Sequence, residues 1–597
     1  MKARIKSILY IVIINTVILI AIELLLRLFN VGSDTSLIYK TRISGEEYLY
    51  LNKNYVLKYF YRDDIDPTGP NKCLFKKVKP INTYRIYVIG ESTSRGFPYS
   101  RVGSFPFQLE QMLNSENPDL HFEVINFSMD ATNSYVGLDI LDEILKYPPD
   151  LAIIYYGNNE FIGFGGQGEF YKPVFQLNKF MVDSRIYQLI KRAATFLAKK
   201  DNKMFLEKMA RKNQVYYNSS IYRTTIADFT KNYSEIITKL KERNVQVIAC
   251  GVARNLKDFN PDKYGASTNY VTQIEKLYDS TDVNLFEKLS KPEFDRADYC
   301  FATGKYLLQK GNKEMADSFF ERACSLDGLR LRAPSEINDT IKKLAEKYKI
   351  SLVNIQETIN RSDSSGIAGN SVMLEHVHPD LAMHTLIANQ LASEIVHIVS
   401  PGREYIHVKP VLYRSIVDDM YETIGLRNLF DNYPLKNLGY FNKHAFENIF
   451  TATTNDVSGL KYKPNINVNE IMFILPFMSD YKDLDNVHLK YGLSKYHLRD
   501  VNGAFREFEL AYLQNPFNVI ALNNMAVISF NSGDKLKGLK MQHTVHNQQP
   551  KYIAGMINLW IMFKKSGYQD EANELEGLLT KRKIDVKQIK YLVIDEI

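Results

Sequence analysis

Five short apolar runs between residues 84 and 400, separated by amphipathic stretches, limit this chain more than any other feature. They are RIYVIG (85–90), FEVINF (122–127), LAIIYYG (151–157), VQVIACGV (245–252) and SLVNI (351–355). Continuous β-branched runs of this length suit parallel strands buried on both faces, and the stretches between them suit crossover helices. The expected fold class is therefore α/β, a doubly wound parallel sheet. In such a sheet the ligand site lies just beyond the carboxyl ends of the strands.

The rest of the chain needs other elements, since 597 residues leave room for about three domains at ~100 to 200 residues each. From Ile8 to Leu26 the sequence is apolar over the length of one bilayer-crossing helix. Lys2, Arg4 and Lys6 precede it, which by the positive-inside tendency keeps the N-terminus cytoplasmic and sends everything after Arg27 across the membrane. No small-residue cleavage pattern follows, so an uncleaved signal anchor is favoured over a removed signal peptide. A buried core helix is the competing reading, and it would need a partner layer on every side. Glu23 and Arg27 are four apart and can pair at the membrane edge.

A net charge of +7 is small for this length and spread along the chain, which excludes the basic stripe of a nucleic-acid binder. Four cysteines without a CxxC pair exclude a zinc ribbon or thioredoxin-like site. No HExxH or other compact metal pattern occurs, and neither metal nor cofactor is expected.

Beyond residue 486 the sequence repeats itself. Pro516 and Pro550, Gly533 and Gly567, and the series Ala504, Gly538 and Ala572 all recur at 34 residues, the period of tetratricopeptide repeats. Gly492, Ala504, Phe508, Ala511 and Pro516 make the best unit, and Gln542 and Glu576 replace the aromatic in later ones. Gly304, Gly311, Ala316, Phe320 and Ala323 show the same spacing as Gly492, Arg499, Ala504, Phe508 and Ala511. One helical hairpin is therefore expected as an insert between the fourth and fifth strands, packed on the sheet domain or on the C-terminal array. Cys300 and Cys324 would face each other near its open end, as free thiols or as a bonded pair.

The polar clusters fall where strands end. Gly90-Glu91-Ser92-Thr93 follows the first run and Asn126-Phe127-Ser128-Met129-Asp130 the second. Tyr156-Gly157-Asn158-Asn159-Glu160 follows the third, and Glu375-His376-Val377-His378-Pro379 lies before the last helix. A serine where a buried strand turns into a helix has its hydroxyl at the sheet edge and its N–H at a helix start, both useful in acyl transfer. On its own it is equally a helix cap.

The order and content of these four blocks resemble the SGNH (GDSL-like) hydrolase family over roughly residues 84–400. The combination with an anchor helix and repeats resembles a bacterial membrane-anchored subgroup. The resemblance implies Ser92 as nucleophile, His378 as general base and Glu375 as the acid that orients it. It implies an oxyanion hole from the Ser92 and Ser128 N–H groups and the Asn159 amide. Two positions depart from the pattern: Ser128 stands where the family has Gly, and Glu375 where it has Asp, with Asp380 as an alternative acid. His376 competes with His378, but the acid three positions earlier and Pro379 favour His378; His376 and His384 read as structural.

The expected organisation is an anchor at 1–30, a membrane-proximal segment at 31–83 and an SGNH domain at 84–400 with its insert at about 297–330. A connecting helical segment at 401–485 and the repeats at 486–597 follow. The expected function is an extracytoplasmic, periplasm-facing, membrane-anchored esterase that cleaves a short acyl ester of a glycan or lipid through an acyl-enzyme. The alternatives are an O-acyltransferase using the same site and an inactive scaffold that docks protein partners through the repeats.

Overall fold

The computed structural model describes residues 2–43, 45–59, 69–117, 119–163, 173–197, 214–261, 295–405, 417–418, 484–586 and 589–595. After an N-terminal helix (Lys2–Leu28), strands β1 (Ile38–Ile43), β2 (Glu46–Leu51) and β3 (Leu74–Lys76) form a small antiparallel sheet. The main sheet follows, from β4 (Thr83–Gly90), β5 (His121–Asn126), β6 (Leu151–Tyr155), β7 (Gln246–Gly251) and β8 (Ser351–Asn354). Its order is β5-β4-β6-β7-β8, and every neighbouring pair is parallel. These are the five runs expected from the sequence, in a doubly wound α/β arrangement.

The reason for continuous apolar strands is visible in β4. Ile86, Tyr87, Val88 and Ile89 are all 0% exposed, because helices cover both faces and each fully buried aliphatic side chain contributes about 1.5–3 kcal/mol. Helices Phe105–Glu116 and Leu381–Val399 pack together on one face. Helices Ser134–Ile144, Ser220–Glu242 and Ser335–Tyr348 pack together on the other. Ser104 caps the first of these by accepting from the Phe107 N–H, and Ser219 caps the long Ser220 helix through Tyr222. The chain runs outward from β4 to β5 and then returns across β4 to β6, so the strand order reverses at β4. That reversal opens a crevice at its carboxyl end.

The inserted hairpin is present as helices Ala297–Gln309 and Lys313–Leu326, with Gly304 against the Phe320 ring as Gly492 lies against Phe508. It packs on the sheet domain, where Leu256 and Ile367 join its apolar cluster and buried Arg254 pairs with Glu321 at 2.6 Å. Cys300 and Cys324 are buried free thiols.

Among the described residues from 484 onward, six helices stand in three successive pairs: Leu484–His497 with Val501–Gln514, Val519–Asn531 with Lys535–Gln548, and Ile553–Ser566 with Gln569–Lys581. The first pair is bolted to the segment just after Ser92. Ser100 Oγ hydrogen-bonds Gln514 Oε1 at 3.0 Å, Arg101 donates to the Leu513 carbonyl, and Val102 and Phe107 pack on Leu510. Lys72 adds an ion pair to Asp485 at 3.0 Å. The expected connecting segment at 401–485 lies almost wholly outside the described residues.

The N-terminal helix contains a span, Leu9–Leu28, of mean hydropathy 2.6 with none of it buried. The helix is long and apolar enough to cross a bilayer. Glu23 pairs with Arg27 at 2.8 Å and also accepts from the Arg185 and Ile186 N–H groups, at the start of helix Arg185–Leu197.

Candidate active site

Strand β4 delivers Glu91 and Ser92 to the crevice. Gly90 is required there: a Cβ would lie 2.2 Å from Ser94 Oγ and 2.6 Å from the Tyr155 carbonyl. Ser92 opens a one-turn helix, Ser92–Arg95, that Gly96 ends in a left-handed conformation at φ 105°. At the first helical position the Ser92 N–H has no intrahelical acceptor, so it faces outward beside its own hydroxyl.

The last block comes to meet it. His378 Nε2 lies 2.7 Å from Ser92 Oγ, and His378 Nδ1 lies 2.5 Å from Glu375 Oε1. Thr93 Oγ1 ties the two blocks together by donating to the Val377 carbonyl at 3.2 Å. Ser92, His378 and Glu375 therefore form one unbroken hydrogen-bonded chain. With Nδ1–H given to the carboxylate, Nε2 is left as the acceptor for the serine proton.

Glu375 is 2% exposed and is fixed by more than the base. Its Oε1 also accepts from the backbone N–H groups of Val377 at 3.2 Å and His378 at 2.7 Å, while Oε2 faces His376 Nδ1. The carboxylate thus lies between both histidines of the block and bonds one of them, His378, a placement the residue spacing did not reveal. His376 is buried against Phe259, and burial, aided by electrostatic repulsion from the neighbouring His378 and Arg332 side chains, holds its imidazole well below the ordinary histidine value. His384 Nδ1 accepts from the Phe105 N–H and is likewise buried, consistent with a structural role. Asp380 caps helix Leu381–Val399 through the Met383 N–H at 2.9 Å. That leaves Glu375 as the carboxylate on His378.

Burial pushes the His378 imidazole down to about 4, against the Asp130 charge, which raises it. Phe97 covers its ring at 4.7 Å between centroids. A neutral base is what proton abstraction near pH 7 needs.

The oxyanion candidates divide. Asn158 and Asn159 look equivalent in sequence, yet Asn158 spends its amide on the Ala253 carbonyl and the Ala333 N–H, both at 3.2 Å. Asn159 is half-buried, and its side chain makes no hydrogen bond to another described residue. Ser128 is placed beside the Ser92 turn, since neighbouring Asn126 donates to the Ser94 carbonyl at 2.8 Å and Met129 N to the Gly90 carbonyl at 3.2 Å. Its N–H, however, already donates to Asn126 Oδ1 at 3.0 Å. The expectation of a free Ser128 N–H therefore needs correction: an Asx-type turn uses it, and the unpartnered donor of this residue is its buried hydroxyl.

Sequence reasoning missed Glu91. It is 1% exposed and accepts from the Asn158 and Asn159 N–H groups at 3.0 and 3.1 Å, so the residue before Ser92 holds the third block in place. Burial raises its carboxyl to about 8 and, nearby, raises Glu160 to about 7. Glu160 accepts from the Ser134 N–H at 2.9 Å and hydroxyl at 2.7 Å, tying the second block to the third.

No family model matches this sequence, and no curated protein sequence matches it. The chain is similar to solved structures of esterases and acylhydrolases. Among them are an acetyl xylan esterase (12% identity, 52% of this chain and 99% of that chain, TM-score 0.27) and a variant of the Geobacillus stearothermophilus acetyl xylan esterase Axe2 (12%, 56% and 100%, 0.28). A third is a putative acylhydrolase of Bacteroides fragilis (13%, 54% and 90%, 0.27). At such TM-scores the likeness carries no weight on function; the side-chain geometry does.

Proposed function

We propose that this chain is a membrane-anchored serine esterase of the SGNH type that works through an acyl-enzyme on a short-chain ester of an extracytoplasmic glycan or lipid. The observation that carries the reading is the continuous Ser92–His378–Glu375 chain, with the Asn159 backbone held by Glu91, the residue before Ser92. His378 Nε2 takes the Ser92 proton as Oγ attacks the ester carbonyl carbon, and the Ser92 N–H and Asn159 amide receive the developing oxyanion. The Ser128 hydroxyl is the third candidate donor. The imidazolium then protonates the departing alkoxide, leaving the acyl group on Oγ. Water, activated by the same base, releases the acid and restores Ser92; a sugar hydroxyl in place of water would make the protein an O-acyltransferase.

The basic residues ahead of the Leu9–Leu28 span support a cytoplasmic N-terminus and a periplasmic catalytic domain. Exposed Leu177 and Phe180, and Leu189 and Ile190, lie on helices Pro173–Met181 and Arg185–Leu197, the second of which packs on the N-terminal helix. They suit a seat in the lipid interface. The 34-residue spacing of the C-terminal pairs supports a tetratricopeptide-like array for protein partners.

The test uses the full chain in detergent with p-nitrophenyl acetate. Release of acetate that disappears in Ser92→Ala supports the esterase reading. Acetylated sugar in place of acetate, when oligosaccharide acceptors are added, moves the assignment to transfer. Turnover unchanged in Ser92→Ala sinks both.

A further inference from the structure

One face of the C-terminal helices already holds an extended peptide segment, and it belongs to this chain. Asn524 and Asn558 stand 34 residues apart, at matching positions on helices Val519–Asn531 and Ile553–Ser566. Both are 0% exposed, and each uses both ends of its amide on one residue of segment 591–595. Asn558 Oδ1 accepts from the Val593 N–H at 2.6 Å while its Nδ2 donates to the Val593 carbonyl at 2.8 Å. Asn524 does the same to Asp595, at 2.9 and 3.0 Å. One period along the helices thus matches two residues along the segment, the step at which backbone groups of an extended chain return to the same edge.

The grip is on backbone, and a second shell of amides aims it. Asn523 Oδ1 accepts from Gln542 Nε2 and Asn558 Nδ2, each at 2.9 Å, and Asn523 Nδ2 donates to Asn524 Oδ1 at 3.1 Å. This network sets which way each clamping amide faces. Side chains of the segment alternate as an extended peptide requires. Leu592 and Ile594 pack on Val527, Phe530 and Met562, while Tyr591 is 78% and Val593 38% exposed. Tyr552 OH donates to the Asp595 carboxylate.

We infer that this face is a peptide-docking groove which segment 591–595 occupies in cis, and that an extended partner peptide with two alternating apolar residues followed by an acidic one takes its place. Backbone clamps accept any extended chain, so selectivity falls to the two apolar pockets and to Tyr552. A tethered occupant competes at an effective concentration in the mM range for a short linker. Occupation in cis therefore weakens partner binding without blocking it. The inference is independent of the catalytic assignment.

The test uses the full chain in detergent and a fluorescent synthetic peptide of sequence YLVID. In the double variant Leu592→Asp/Ile594→Asp the cis segment is unseated, and the peptide binds at least ten-fold tighter than to wild type. Adding Asn524→Ala or Asn558→Ala to that variant weakens binding ten-fold or more, and a peptide with aspartate in place of its Leu and Ile does not bind. Hydrogen exchange on wild type is the second readout: saturating peptide accelerates exchange of the Val593 and Asp595 amides. Failure of the unseated but folded variant to bind, binding indifferent to Asn524 and Asn558, or exchange unchanged by the peptide overturns the inference.

Discussion

His378 and His488 are both buried against carboxylates, and they end in opposite charge states. His378 leans on Glu375, whose carboxylate is shared with His376 and two backbone N–H groups. Burial prevails and pushes the His378 imidazole down to about 4. His488 also feels burial, but Asp418 at 3.3 Å and Glu507 at 2.8 Å outweigh it and push the imidazole up to about 10. What differs is what opposes burial: only the Asp130 charge at His378, but two directly hydrogen-bonded carboxylates at His488. The first histidine stays neutral and can accept the Ser92 proton, whereas the second is a fixed cation that ties helix Leu484–His497 to helix Val501–Gln514.

Breaking each side of this contrast should give different signatures. Glu375→Gln removes the carboxylate charge beside His378, so kcat should fall by about 10² to 10⁴ with little change in KM. A loss of only a few-fold, with the fold intact by circular dichroism, would show that the acid is dispensable. His488→Leu leaves two buried carboxylates without their cation, and denaturant titration should show the array weakened by about 3–5 kcal/mol. Equal stability would mean that His488 is neutral.

Asn159→Ala should lower kcat by about 10² to 10³ at near-constant KM, because the amide acts only as charge develops; a purely higher KM would make it a binding residue. For His488 the folded pKa lies above the unfolded one. Its stabilisation is complete below about pH 6.5 and is lost as pH rises toward about 10. Denaturation midpoints of the array should fall across that window in wild type and be flatter in His488→Leu. The smallest effect is Asp130→Asn. It removes the charge that raises His378, so the acid limb of the rate profile, already below the ordinary histidine range, should move slightly further down.

The five strands were legible because each is buried on both faces, which leaves a continuous apolar run whatever the tertiary detail. Ser92, Glu375, His378 and Asn159 were legible as blocks, since a doubly wound sheet brings successive strand ends together. Other features depended on contacts that no local pattern encodes. The β1–β3 sheet is short and only partly buried, so its residues lack a clean alternation. The turn that takes the Ser128 N–H is made by Asn126, which in sequence is merely the end of a strand. Glu91 has no role legible in sequence until the two N–H groups that donate to it are seen 67 and 68 residues away. The 34-residue period showed the helix pairs, but not that segment 591–595 would lie along them, because amides grip backbone and leave no side-chain signature.

The central claim is that His378 activates Ser92 and no other serine. Incubating the full chain with a fluorophosphonate and mapping the adduct by peptide mass spectrometry tests it most directly. The expected result is one adduct, on Ser92, lost in Ser92→Ala and strongly slowed in His378→Ala. An adduct that survives Ser92→Ala, or a folded wild type that takes no label, would contradict it.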